Sequence, residues 1–170
     1  MTVYPAVDVI KFDGFTALKG RSYGLLTHVA ATDYLLTPTY ELLANTAGIR
    51  PKALFSPEHG LLSTVPDGVK VGDLIDPRTR LPVFSLYGDQ KKPSAEMLEG
   101  LDLILVDIAD IGTRFYTYIW TMSYMLEACG EHGIEVMLLD RPNPLNGVIR
   151  GLYVEPECTS FVGRYAHCVP

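Results

Sequence analysis

The chain has 170 residues, 48% hydrophobic and 20% charged, with a formal net charge of -6, which is the profile of an ordinary globular domain large enough to build a core. That acidity excludes a general nucleic-acid or anionic-membrane binder, since both need clustered Lys and Arg. No apolar run approaches the length of a membrane span, and residues 1–15 lack the basic and apolar regions of a signal peptide, so the expectation is a soluble chain.

Five strands are predicted, over residues 23–27, 52–55, 82–86, 102–107 and 134–139. After the first, Thr37-Pro38 offers an N-cap and a first helical residue for a helix running to Ala47 and stopped by Gly48. The stretch from Gly60 to Arg80 is irregular, with Pro66, Asp67-Gly68, Gly72 and Asp76-Pro77 as turn signals, and a long irregular segment inside a compact domain is commonly functional. Ser94 caps a short helix through Glu99, ended by Gly100. The run Leu103-Ile104-Leu105-Val106 reads as a strand buried on both faces. The longest helix is predicted from about Thr113 to Cys129, stopped by Gly130 and Gly133, with Phe115, Ile119, Met122, Leu126 and Cys129 as its apolar stripe. The tail from Pro142 to Pro170 is loop-rich and carries no stop signal, as expected of a chain cut in mid-element. Strands alternating with helices predict an α/β fold with a mostly parallel sheet flanked by helices and right-handed crossovers. Cys129, Cys158 and Cys168 lack the spacing of a zinc or redox motif; Cys129 reads as core.

Polar residues follow every strand: Thr27-His28, then Ser56-Pro57-Glu58-His59-Gly60, then Ser85-Leu86-Tyr87-Gly88, then Asp107 and Asp110, then Asp140-Arg141-Pro142-Asn143-Pro144. If the strands are parallel all five groups project from one sheet edge, where open α/β sheets bind ligands. Glu58 leads as an acid/base group, because Pro57 and Gly60 suggest a fixed turn that holds its carboxyl partly desolvated, with a raised pKa. A solvated loop glutamate is the alternative. Asp107 and Asp110 can supply a second carboxylate, or Asp110 can cap the long helix while Asp107 accepts backbone hydrogen bonds. Arg114 and Tyr118, four apart, are expected on one helix face, and Arg114 can clamp a substrate carboxylate or pair internally with Asp110 or Asp140. Arg141 carries the same two readings, and Asn143 lies positioned between two prolines. His28 and His59 could join Asp107 around a metal, but no HExxH or comparable spacing supports one, and GxGxxG and GxxxxGK[ST] are absent. No metal or cofactor is expected.

The motifs Gly24-Leu25-Leu26-Thr27, Phe55-Ser56-Pro57-Glu58-His59-Gly60, the stretch from Leu81 to Gly88, the stretch from Asp107 to Tyr118, and Leu139-Asp140-Arg141-Pro142-Asn143-Pro144 together make the chain resemble the NamZ-type exo-β-N-acetylmuramidases. The resemblance implies a Rossmann-like catalytic domain over residues 1–150. Residues 151–170 then start the connection to a second domain absent from this chain, and the active site lies between the two. It implies hydrolysis of non-reducing terminal N-acetylmuramic acid from peptidoglycan fragments, with Glu58 at the position of the catalytic glutamate. His59 and Asp107 are expected as its catalytic neighbours, and His28, Asp110, Arg114, Tyr118, Arg141 and Asn143 as candidate substrate-binding residues. Members of such a family are often exported, so the compartment stays open. Two departures stand out: Ala109 where the family reads Asp-Ile-Gln-Asp, and His28 where it has Asn after the first-strand Thr. An exo-lytic muramyl lyase, a non-catalytic sugar-binding fragment and a metal-dependent hydrolase are the competing readings.

Overall fold

The computed structural model describes residues 3–66, 69, 72–145, 148 and 151–165. The turn signal at Asp67-Gly68, Cys168 and the last residues of the predicted tail lie outside them. In chain order the elements are α1 (Ala6–Phe12), β1 (Tyr23–Thr27), α2 (Thr39–Ala44), β2 (Ala53–Ser56), β3 (Leu74–Ile75), β4 (Pro82–Ser85), α3 (Ala95–Leu98), β5 (Leu103–Asp107), α4 (Tyr118–His132) and β6 (Glu135–Leu138).

The sheet runs β3-β4-β2-β1-β5-β6. All the pairings are parallel except β3 with β4. Alternation along each strand splits the core in two. Tyr23, Leu25, Leu54, Val83, Leu103 and Leu105 pack with Val7 of α1 and with Tyr40 and Leu43 of α2. Leu26, Phe55, Ile104 and Val106 pack on the other face, with Leu98 of α3 and Met125, Ala128 and Cys129 of α4. Three layers result, and β1 and β5 are buried at every residue, as the apolar run at 103–106 predicts.

Several predicted elements need correction. The long helix begins at Tyr118, not near Thr113, because the preceding residues make other bonds: Tyr116 N–H donates to Thr113 O, and Trp120 Nε1 donates to Arg114 O at 2.7 Å. Its buried face is Thr121, Met125, Ala128 and Cys129, whereas Phe115 is 71% exposed and Leu126 38%. Gly130 lies inside the helix, and Gly133, left-handed at φ 66°, ends it. The helix expected from Thr37 to Ala47 shrinks to α2 without a side-chain cap, because Asp33 Oδ1 takes the Thr37 N–H at 2.8 Å and holds residues 33–37 as a turn. Helix α1 and the two-residue edge strand β3 have no counterpart in the periodicity. Ser94 does cap α3, accepting from Met97 N–H. Beyond β6 the chain returns across α4, where the Arg164 guanidinium lies 3.5 Å from the Tyr124 ring centroid and pairs with Glu127 at 2.9 Å. Among the described residues no helix is long and apolar enough to cross a membrane.

Gly24 on the central strand β1 has no room for a side chain: a Cβ would lie 2.7 Å from Phe55 Cε2 and 2.9 Å from Ile104 Cδ1. Gly24→Ala is therefore expected to cost about 1–3 kcal/mol through overpacking, read as a lowered midpoint in urea denaturation. An unchanged midpoint would show that the Phe55 and Ile104 side chains can move aside at no cost.

Candidate functional site

The order of the parallel strands reverses between β1 and β5, since β2 and β4 extend the sheet on one side and β5 and β6 on the other. Their carboxyl ends face one edge, and that reversal is where such sheets bind ligands. At the last position of β1, β2, β4 and β5 a polar residue points to the α1/α2 face. Thr27 pairs with Asp107, Ser56 pairs with Ser85, and Thr27 follows Leu26, the partner of Phe55. A polar row Asp107, Thr27, Ser56, Ser85 thus closes the core on that face.

Asp107 is fully buried and is neutralised by Arg141, whose Nε donates to Oδ1 at 2.6 Å and whose Nη2 donates to Oδ2 at 2.9 Å. The same Nη2 donates to Thr32 O at 3.0 Å. One guanidinium therefore joins the end of β5, the segment after β6 and the loop after β1. Such two-pronged geometry requires arginine.

His28 crosses to the other face. It is 4% exposed and meets Tyr118 edge-on, with centroids 4.8 Å apart; Tyr118 in turn packs on Tyr116 at 4.6 Å. Burial pushes the imidazole down to about 4; Asp107 opposes the shift and Arg141 adds to it. The ring is neutral at physiological pH, and its Nε2 has no hydrogen-bond partner among the described residues. Burial and the neighbouring Tyr118 raise the Tyr116 hydroxyl to about 12.

Asp110 does not cap α4; Thr117 occupies that position. Its Oδ1 accepts Gly112 N–H and its Oδ2 accepts Asn143 Nδ2, each at 3.0 Å, while Asn143 Oδ1 accepts Leu145 N–H at 2.9 Å. Asn143 is thus a brace between two loops. Gly112, at φ 75°, lies under it, since a Cβ there would sit 2.8 Å from Asn143 Oδ1. Arg114 precedes α4, so it does not share a helix face with Tyr118; its Nη2 donates to Leu152 O. Between the ends of β5 and β6 and the start of α4 lies a cavity of about 120 Å³, walled by Ala109, Asp110, Asp140 and Arg141 over Val106, Ile119 and Met122. A longer residue at 109 would enter it.

Glu58 stands in the expected turn. Gly60 N–H donates to Pro57 O at 3.1 Å, and Glu58 is only 8% exposed. His59 and Gly60 are both left-handed, at φ 68° and 72°. For histidine that backbone is uncommon and costs of order 1 kcal/mol, a type of strain that clusters at functional sites. His59 Nδ1–H donates to Val65 O at 2.9 Å and Val65 N–H donates to His59 O at 3.4 Å, so the imidazole ties the turn to the loop beyond it. Among the described residues no group of three His, Cys, Asp or Glu could hold a metal ion. The parallel strand ends thus carry a buried carboxyl able to transfer a proton, a fixed ion pair and a neutral imidazole packed on Tyr118. Sequence reasoning passed over Ser56, Ser85 and Thr32 as site residues, and only strand register could have singled out the two serines.

The family model described as "Exo-beta-N-acetylmuramidase NamZ, N-terminal" matches residues 23–169. The chain is 46% identical over 164 residues to the peptidoglycan beta-N-acetylmuramidase NamZ of Bacillus subtilis (strain 168), covering 96% of this chain and 40% of that protein. Crystal structures of two DUF1343 family proteins from Bacteroides fragilis NCTC 9343 superpose with TM-scores of 0.86 and 0.78 at 38% and 28% identity. They cover 96% and 98% of this chain, which spans 41% and 42% of theirs.

Because folding demands a neutral His28, its contribution to stability is complete above the ordinary histidine value of 6.5 and is lost as pH falls toward about 4. Across that window the loss is about 3 kcal/mol. His28→Asn is expected to remove it, so urea midpoints of the variant, measured from pH 7 to pH 4, fall less steeply than those of the parent chain. Parallel curves would place the imidazole in contact with solvent.

Proposed function

We infer, from the premise that this chain belongs to the NamZ N-terminal family, that it contributes the proton-donating half of an exo-acting glycosidase site. The reaction is release of non-reducing terminal N-acetylmuramic acid from peptidoglycan fragments. The observation that carries this reading is Glu58 in its strained, buried turn, inside the region that is 46% identical to the Bacillus subtilis enzyme. The chain spans about 40% of that enzyme's length, so we assign the facing wall of the cleft to a second, C-terminal domain.

Glu58 protonates the glycosidic oxygen as the bond to the anomeric carbon lengthens, and positive charge builds on the sugar ring. Asp107 and Asp110 support this centre at a distance, because every carboxylate oxygen they carry already accepts a hydrogen bond. That leaves the substrate's own 2-acetamido group as the nearer stabiliser. His59 fixes the turn that aims Glu58. We assign Arg114 to the lactyl carboxylate that distinguishes muramic acid from glucosamine, since Arg141 is held by Asp107. His28 supplies a neutral imidazole to the sugar, with Tyr118 behind it, and Asn143 holds Asp110 in place.

In the full-length protein, Glu58→Gln is expected to lower release of N-acetylmuramic acid from a MurNAc-GlcNAc disaccharide by roughly 10²-fold or more. Near-normal turnover in that variant would remove Glu58 as the acid. Mass spectrometry of the released sugar separates hydrolysis from a lytic reaction by the mass of one water.

A further inference from the structure

The cavity at the ends of β5 and β6 stands apart from the turn that carries Glu58. Strand β2, which ends two residues before Glu58, lies three places from β6 in the sheet, a separation of roughly 14 Å at the usual strand spacing. The cavity floor is apolar, built from Val106 of β5, Leu138 of β6, and Ile119 and Met122 of α4. Leu138 is 50% exposed on the outermost strand, so the floor continues to the open edge of the sheet. Ala109 adds only a methyl group to the wall. The volume is about 120 Å³. An apolar cavity of about 150 Å³ admits a benzene ring, so this one suits an unbranched group of about five non-hydrogen atoms.

The rim is charged, and its charges do not cancel. Asp110, Asp140 and Arg141 line it, but Arg141 is already neutralised by its two hydrogen bonds to Asp107. Two carboxylates remain. Asp140 is exposed, and its side chain has no hydrogen-bond or ion-pair partner among the described residues. Asp110 accepts one hydrogen bond at each oxygen, and each carboxylate oxygen can accept a second. Such a rim repels an anion and attracts a cation, while the floor below it favours methylene groups over water.

We propose that this cavity binds the aliphatic ammonium group of a ligand, with a chain of about four carbons on the apolar floor and the nitrogen at Asp110 and Asp140. The side chain of lysine has that length and charge, and so does a free primary amine. The site and its ligand are independent of the role of Glu58.

The test is a titration of the full-length protein, followed by NMR of the Ala109 and Met122 methyl groups at matched ionic strength. n-Butylammonium is expected to shift both signals with a millimolar Kd, and butyrate, of similar size and opposite charge, to shift neither. Ala109→Leu places an isobutyl group in the cavity and is expected to abolish the Met122 response. Asp140→Asn, a change at an exposed side chain, is expected to weaken n-butylammonium about threefold. Nα-acetyl-lysine amide separates the two sources. Binding as tight as that of n-butylammonium assigns the cavity to a side chain carried on a peptide, and its exclusion assigns the cavity to a free amine. Equal binding of butyrate, a Met122 response that persists in Ala109→Leu, or no response to n-butylammonium would each overturn the proposal. If Ala109→Leu fails to fold, the comparison of the two charges and Asp140→Asn still decide.

Discussion

The buried pair of Asp107 and Arg141 is the interaction on which the site depends. A fully buried carboxylate is unfavourable by itself, and breaking such a pair from one side typically costs about 3–5 kcal/mol because the remaining charge is left uncompensated. Here the guanidinium also reaches Thr32 O, so the pair fixes three segments whose order in the chain is widely separated. The switch between β1 and β5 is held shut by charge at its rim and by apolar packing below it. Arg141 is for that reason a poor candidate to leave its post for a substrate, and its field is one cause of the neutrality of His28.

Around this pin the structure divides its polar groups by freedom. In Asp107, Asp110 and Asn143 every side-chain nitrogen or oxygen makes a hydrogen bond within the protein. Among the described residues, His28 Nε2 and the Ser56 and Ser85 hydroxyls have no hydrogen-bond partner. Groups of the first kind make a rigid frame, and groups of the second can answer to something not covalently part of the fold. Glu58 follows Ser56 by two residues, in a turn where His59 and Gly60 are both left-handed.

Much of this was legible in the residues. The five parallel strands, the α/β class, the convergence of strand ends and the turn at Glu58 follow from local apolar runs and from Pro and Gly placement, and the structure has each of them. What was not legible depends on distant partners. The start of α4 was misplaced because Trp120 reaches back to Arg114 O, and the cap at Thr37 because Asp33 captured its N–H. Helix α1 buries only Val7 and Asp8, too little to print a stripe. The serine row exists only once β2 and β4 are side by side in register, and Glu58 stood out ahead of the serines because a carboxyl announces chemistry and a hydroxyl does not.

The backbone at His59 sets a direction for how this protein can change over time. A histidine held at φ 68° stands where glycine would be at ease, so genetic drift that relieves the turn also removes the imidazole that anchors it. At that position the gain in stability and the loss of the site lie along one path. At Asp107 they oppose each other, because a replacement without a carboxylate strands Arg141. A lineage free to change at this turn would accordingly drift first at position 59, and would keep the buried pair longest.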